Sequence, residues 1–370
     1  MRIGVLKEVK VKEGRVALTP SAAKELISLG HNVYVERNAG GIAGFSNKDF
    51  EDVGAVIGNK EKVLNSELIL KVKEPTKDEY TDYKSGQILF TYLHLASNKI
   101  LTEFLLRSKA TYIAYETIES KDHKLPLLIP MSQIAGKLSI HEGARLMRSN
   151  YGGPGVLLSG VTGVSKPNVT ILGAGVVGTE AASLAAAMGA NVQLLDINLE
   201  RLRVLESVLP RNVELLKASQ KNIKNCVLRA DLLIGAVLVP GGKTPVLVGE
   251  SLVKRMKKGS IIIDVAVDQG GCIETSRVTN FDKPTYERDG VIHYGVANMP
   301  GSVPRTATEA LVNATLPFIK KIAKGDLGDL ILNDSELQSG INIYNGHLVN
   351  SEVATALSLP FEDLKVLIQT

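Results

Sequence analysis

Short β-branched runs alternate with Ala- and Leu-rich amphipathic stretches along almost the whole chain. That alternation predicts an α/β architecture built on parallel sheets. "RIGVLKE" reads as the first strand, and "TPSAAKELISLG" as the helix after it. Thr19 stands at the N-cap of that helix, Pro20 at its first position and Gly30 just past its end. "NVYVER", "SELILKVKEP" and "GQILFTYLHL" read as further strands, the second of them stopped by Pro75. Residues 131–148 predict a long helix, followed by the glycine-rich loop "YGGPGVLLSGVTG". From residue 169 the pattern is strand, glycine turn, helix, strand, and "DLLIGAVL", "SIIIDVAV" and "VIHYGVAN" read as later strands. A second long helix is expected over 306–324, with Pro317 placed to kink it. The C-terminal segment reads as helix and loop.

A chain of 370 residues exceeds what one hydrophobic core usually serves, so two domains are expected. The two long helices are the natural crossings. They predict one Rossmann-like domain, residues 131–306, inserted into a discontinuous second domain made of 1–130 and 307–370. With no Trp and 5% aromatics, the core must be mostly aliphatic, with Ala and Gly allowing close packing. The 43 basic and 39 acidic residues are interspersed, which argues against a nucleic-acid stripe. The N-terminus lacks a long apolar segment, and no stretch of about 18 residues is free of polar breaks, so neither signal peptide nor membrane span is expected. Two cysteines, Cys226 and Cys272, lack metal-ligand spacing and suit a reducing, cytoplasmic setting. No ligand cluster for a metal is evident.

"ILGAGVVGTEAA" contains Gly173-Ala174-Gly175-Val176-Val177-Gly178, a G-x-G-x-x-G between a strand and an Ala-rich helix. In that context Gly173 allows the tight turn, Gly175 lets a pyrophosphate approach the backbone, and Gly178 lets helix and strand pack closely. Asp196 follows about 20 residues on, where a ribose-binding acid is expected. Its charge would repel a 2′-phosphate, which favours NAD over NADP, although Arg201 and Arg203 stand nearby.

Ligands of open parallel sheets gather beyond the carboxyl ends of the strands. Four polar residues fall there: Arg15 after the first strand, Lys73 in "LILKVKEP", His94 in "ILFTYLHLA" and Asp268 in "IIIDVAVDQGG". Each alone could be structural, as a loop cap, a solvated strand end, a hydrogen-bonded core histidine and a turn cap. Together they suit a small acid substrate. Two cations can hold a carboxylate, and a histidine can exchange a proton near neutral pH. Asp264 lies inside its strand and is expected to satisfy a buried donor instead.

These residues lie in segments that resemble the alanine dehydrogenase family: "MRIGVLKEVKVKEGRVALTP", "LILKVKEP", "GQILFTYLHLA", "PLLIPMSQIAGKLS", "GAGVVG", "ADLLIGAVLVPG", "DVAVDQGGCIETSRVTN" and "HYGVANMPGSVPRTAT". They run in family order across nearly the whole chain. The resemblance implies oxidative deamination of L-alanine to pyruvate and ammonia with NAD, the reverse reductive amination, and a homohexamer. It implies substrate binding by Arg15 and Lys73 and catalysis by His94 and Asp268. It further implies cofactor contacts from Ser132, Gly175, Val176, Val177, Asp196 and Ser219, and from Val237, Leu238, Val267, Asn298 and Met299. The alternatives are a transhydrogenase-like NAD-binding subunit, a related imine-reducing amino-acid dehydrogenase, and a non-catalytic NAD-binding scaffold.

Overall fold

The computed structural model describes residues 1–237, 244–325 and 327–369. The chain divides into two compact units, Met1–Met131 with Gly301–Thr370, and Ser132–Pro300. The second seam falls before the helix Pro304–Lys324 because that helix belongs with the first unit from its opening turn. Val16 N–H donates to Thr308 Oγ1 at 3.1 Å, and Arg305 Nη1 donates to the Gly44 carbonyl at 3.1 Å.

The N-terminal strands are β1 (Arg2–Val5), β2 (Asn32–Glu36), β3 (Val56–Gly58), β4 (Leu68–Leu70), β5 (Ile88–Thr91) and β6 (Thr111–Ala114). The middle of the chain supplies β7 (Asn168–Leu172), β8 (Asn191–Asp196), β9 (Val213–Lys217), β10 (Leu232–Gly235), β11 (Ile261–Asp264), β12 (Thr285–Arg288) and β13 (Val291–Tyr294). The C-terminal segment adds β14 (Ile341–Tyr344) and β15 (His347–Leu348). The first unit holds the sheet β15-β14-β6-β5-β4-β1-β2-β3, and the second holds β12-β13-β11-β10-β7-β8-β9. Pairing is parallel except for β12 with β13, β14 with β15, and β14 with β6.

The expectation of a C-terminal tail made only of helix and loop is corrected by β14 and β15. Asn345 and Gly346 both have positive φ, 49° and 91°, so the two-residue turn between these strands is of the Asn-Gly hairpin kind. At the other end of the chain the first helix forms as its caps predict. Ala22 N–H donates to Thr19 Oγ1 at 3.3 Å, and Pro20 opens Pro20–Ser28.

Both faces of the second sheet are covered. Ile261 and Ile263 of β11 join Val169, Ile171, Leu232 and Ile234 on one side, while Ile262 joins Leu172 and Leu233 on the other. A period of two with both phases apolar is what a doubly covered parallel sheet requires. Ala181, Ala182, Ala185 and Ala186 of the helix Val176–Ala187 pack in the first of these layers, and their small side chains let it lie close. Truncating a fully buried Ile such as Ile263 to Ala would cost about 2–5 kcal/mol.

Candidate functional site

In the first unit, β5, β4 and β1 are adjacent and parallel, so their carboxyl ends share one edge of the sheet. The chain leaving that edge carries His94, Lys73 and Arg15. None of the three lies on a strand. β4 stops at Leu70 and β5 at Thr91, and Lys73 and His94 follow in the segments beyond. The lysine that directly follows β4 is Lys71, which is fully buried and paired with Glu79 Oε1 at 2.7 Å.

Arg15 is 2% exposed and held by a buried partner. Its Nε donates to Glu13 Oε1 at 2.7 Å and its Nη2 to Glu13 Oε2 at 2.5 Å, while Nη1 lies 3.1 Å from Met131 Sδ. Burial works against the guanidinium charge, but the Glu13 carboxylate outweighs it and the pKa moves up. Lys73 is half-buried, and burial followed by the positive Arg15 holds its ammonium below the ordinary lysine range. Its backbone is fixed by Glu8, whose Oε1 accepts from Val72 N–H at 2.6 Å and Lys73 N–H at 3.2 Å. His94 is exposed and adopts the left-handed conformation, φ 51° and ψ 39°. Its ring lies parallel to that of Tyr92, centroids 5.9 Å apart, and its N–H donates to Glu116 Oε1 at 2.6 Å.

In the second unit, Asp268 stands four residues past the end of β11, and this corrects the expectation that "SIIIDVAV" is strand up to Val267. β11 stops at Asp264. The chain then bends through Ala266 into a single 3-10 turn, Val267–Gln269, with Gly271 N–H donating back to the Ala266 carbonyl at 3.0 Å. Asp268 is exposed on that turn, while Val267 beside it is buried. Asp264 is 2% exposed, its Oδ2 accepts from Ile273 N–H at 3.2 Å, and burial pushes its pKa up. It is the buried acceptor that its place in the strand suggests.

The glycine turn joins β7 to the helix Val176–Ala187. Gly173 has φ 100°, and a Cβ there would come within 2.6 Å of the Ala236 carbonyl oxygen. A Cβ at Gly178 would overlap the Gly173 carbonyl oxygen, so this glycine sets the approach of the helix to the turn. Gly175 is exposed, and a Cβ there would meet nothing within 4 Å. The backbone is therefore bare at the N-cap of a twelve-residue helix, where free N–H groups favour an anion.

Asp196 ends β8, the neighbour of β7, and reaches back to the turn. Its Oδ2 accepts from Ala174 N–H at 2.6 Å and its Oδ1 from Asn198 N–H at 2.8 Å. Arg201 takes the other side of the same residue, with Nε donating to the Ala174 carbonyl at 2.9 Å and Nη2 to Thr179 Oγ1 at 3.2 Å. Ala174 is thus clamped at both its N–H and its carbonyl. A carboxylate oxygen has two acceptor positions, so Asp196 keeps capacity for ribose hydroxyls.

Ser219 caps the helix Gln220–Arg229, accepting from Asn222 N–H at 3.2 Å, in the segment after β9. Val237 follows β10, and Asn298, at φ 58°, and Met299 follow β13. Val176 and Val177 open the first turn of the helix after the glycines, and Ser132 is half-buried on the helix Ile129–Leu146. Leu238 lies outside the described residues. The parallel strands β13, β11, β10, β7, β8 and β9 thus bring Asn298, Asp268, Val237, the glycine turn, Asp196 and Ser219 to one edge of the second sheet.

Sequence reasoning missed Glu8, Glu13 and Glu116. Their only signal is a place just after a strand, and nothing in the pattern says that they face backbone amides or a guanidinium. Among the described residues, no group of three or more His, Cys, Asp or Glu could hold a metal ion, and no helix is long and apolar enough to cross a membrane.

Residues 4–135 match the family model for the alanine dehydrogenase/PNT N-terminal domain, and residues 139–351 match that for the alanine dehydrogenase/PNT C-terminal domain. An alanine dehydrogenase of Staphylococcus saprophyticus is 47% identical over 367 residues, 99% of each chain. A solved L-alanine dehydrogenase superposes with TM-score 0.94 at 50% identity, covering 97% of this chain and 99% of that one. A solved transhydrogenase from Sinorhizobium meliloti shares the fold, with TM-score 0.82 at 23% identity over 95% of this chain and 99% of that one. With both domain models matched in order and close likeness over nearly its full length, the chain belongs to the alanine dehydrogenase/PNT family.

Proposed function

We propose that this chain is an oxidoreductase that converts L-alanine, NAD and water to pyruvate, ammonia and NADH, and catalyses the reverse reductive amination. The observation that carries the reading is the near-full-length likeness to alanine dehydrogenases, 47% identity over 99% of the chain. It is joined by Arg15, Lys73, His94 and Asp268, each in the segment that follows a parallel strand, β1, β4, β5 and β11.

Arg15, locked by Glu13, and Lys73 hold the substrate carboxylate and the carbonyl region. His94 exchanges protons with the amine nitrogen and with the water that replaces it, and Asp268 orients that water. NAD, when bound, accepts the hydride from Cα. The residues that hold it are Gly173, Gly175, Val176, Val177 and Gly178 at the pyrophosphate, and Asp196, with Arg201 bracing the turn, at the adenosine ribose. Ser219 lies on the adenine side, and Ser132, Val237, Leu238, Val267, Asp268, Asn298 and Met299 lie around the nicotinamide half. The bare backbone at Gly175 fits such a group, because a side chain there would occupy the space that a pyrophosphate needs. The same reading makes the enzyme cytoplasmic and a homohexamer, and light scattering on the purified protein tests the hexamer.

The direct assay mixes protein, L-alanine and NAD at about pH 9–10, where the amine is substantially deprotonated, and follows NADH absorbance. A steady rise, absent with NADP and absent in His94→Ala, supports reaction, cofactor and acid/base assignment together. No rise, with pyruvate, ammonium and NADH also inert, sinks the reading.

A further inference from the structure

The left-handed backbone at His94 has an identifiable support. φ of 51° is uncommon for a residue other than Gly, even though histidine adopts it more readily than most, and at His94 it coincides with a specific set of backbone contacts. β5 ends at Thr91 and its neighbour β6 at Ala114; Tyr92 N–H still donates to the Val72 carbonyl at 3.3 Å, but the next two amides find no backbone acceptor in the ladder. One carboxylate takes that place. Leu93 N–H lies 3.1 and 3.2 Å from Glu116 Oε1 and Oε2, and His94 N–H lies 2.6 Å from Oε1. Two successive amides are gathered on one anion, and the imidazole leaves the chain at the second of them.

Glu116 itself stands on a rigid base. It lies in the turn Tyr115–Thr117. The Tyr115 hydroxyl donates to the Lys71 carbonyl at 3.0 Å, and its ring meets Phe90 and Tyr92 edge-on, with centroids 4.4 and 5.0 Å away. Thr117 Oγ1 donates to Asn342 Oδ1 at 2.9 Å, which ties the turn to β14. On the other side of the histidine, the Tyr92 ring lies parallel to the imidazole, and its hydroxyl is anchored on the Leu127 carbonyl at 2.7 Å.

We propose that Glu116 is a positioning residue for His94, fixing the left-handed backbone that aims the imidazole at the substrate. This rests on His94 being the acid/base group. A residue that only closed the end of a strand would affect folding and substrate affinity together. A residue that aims the imidazole affects turnover and acts only through His94.

The test measures kcat and pyruvate KM for the full-length enzyme, Glu116→Ala, Glu116→Gln, Glu116→Asp, His94→Ala and the His94→Ala/Glu116→Ala double variant. Glu116→Ala is expected to lower kcat about 10- to 100-fold, the scale of a small misplacement of a reacting group, with pyruvate KM within about twofold. Glu116→Gln, which keeps an acceptor oxygen at the same reach, should recover most of that loss. In the His94→Ala background, Glu116→Ala should change kcat by less than about twofold, because the two residues act as one unit. Equal losses in both backgrounds, or a Glu116→Ala enzyme with normal kcat beside an inactive His94→Ala, would overturn the inference alone. An active His94→Ala would overturn the acid/base assignment and the inference with it. Should Glu116→Ala not fold, Glu116→Asp, which withdraws the carboxylate by one methylene, is read by the same split. Lowered kcat at unchanged KM supports the role, and unchanged kcat refutes it.

Discussion

Asp196→Ala tests the nucleotide site on two scales at once. The carboxylate accepts two backbone N–H groups, from Ala174 and Asn198, at 2.6 and 2.8 Å. Hydrogen bonds to a charged group contribute about 1.5–3 kcal/mol each. Asp196 is only partly buried, and water can satisfy the freed amides, so the pair together is expected to contribute about 2 kcal/mol. For a unit of this size that corresponds to a fall of roughly 4–8 °C in the Tm of the unit carrying the glycine turn. Asp196→Asn, which keeps one acceptor oxygen, should lose about half as much. The second scale is cofactor choice. A carboxylate about 4 Å from a 2′-phosphate is repelled by about 1 kcal/mol per unit charge in water and about 4 kcal/mol near a protein surface. Removing it should therefore raise the ratio of kcat/KM for NADP to that for NAD at least about fivefold. Thermal unfolding without cofactor and steady-state kinetics with each nucleotide read the two effects separately. An unchanged Tm would show that the carboxylate does not brace the turn. An unchanged nucleotide ratio would refute its place at the ribose.

Other perturbations probe the remaining parts. His94→Ala and Asp268→Asn should each lower kcat about 100-fold or more, the usual scale for lost acid/base work, and near-normal turnover in either purified variant would remove that residue from the mechanism. Lys73→Ala should mainly raise pyruvate KM, whereas a fall in kcat alone would give Lys73 a transition-state role. Because burial and Arg15 hold the Lys73 ammonium below its ordinary value near 10.5, pyruvate KM should climb with rising pH before that value is reached. The sign follows from charge, since the ammonium binds the carboxylate and is lost on the alkaline side. Lys73→Arg, which stays protonated, should flatten the climb, and an equal climb in that variant would refute the assignment. Gly178→Ala should abolish NADH binding measured by fluorescence, because a Cβ there overlaps the Gly173 carbonyl and forces the helix away from the turn.

The sequence carries the second sheet plainly, because β10 and β11 are apolar on both phases and the helices after β8 and β9 open on readable caps, Asn198 and Ser219. The glycine turn was legible for the same reason: strand, glycines, alanines and acid stand at spacings that one mechanism demands. β14 and β15 were harder. They are short, and only "YNGH" signals them, an Asn-Gly pair whose two positive φ angles close a hairpin. Asp268 shows a different limit. "IIIDVAV" keeps its apolar run past the true end of β11, so the pattern does not mark where the chain bends. The bend is set by contacts distant in sequence, with Asp264 accepting from Ile273 and Gly271 folding back on Ala266. The three glutamates were invisible for a related reason. Glu8 serves an amide 64 residues away in sequence and Glu116 one 22 away, and no local pattern encodes such a pair.

Those glutamates also explain how two cations and a histidine can stand together at one sheet edge. Burial first, and then the positive charge of Arg15, depress the Lys73 pKa. Each of the three segments is held by its own carboxylate: Glu13 on the Arg15 guanidinium, Glu8 on the Lys73 amide and Glu116 on the His94 amide. The division of labour differs, and the difference has a chemical consequence. Glu13 spends its charge on the side chain itself, so Arg15 is fixed in direction and partly neutralised before substrate arrives. Glu116 meets the main chain of Leu93 and His94, and Glu8 reaches Lys73 through its amide alone, its other oxygen lying 3.7 Å from Lys71 Nζ, so neither carboxylate takes up the Lys73 ammonium or the His94 imidazole. Supports that grip the backbone can therefore order a site without quenching its reactive groups, and that is the arrangement a proton-transferring enzyme needs at the residues that must change their charge.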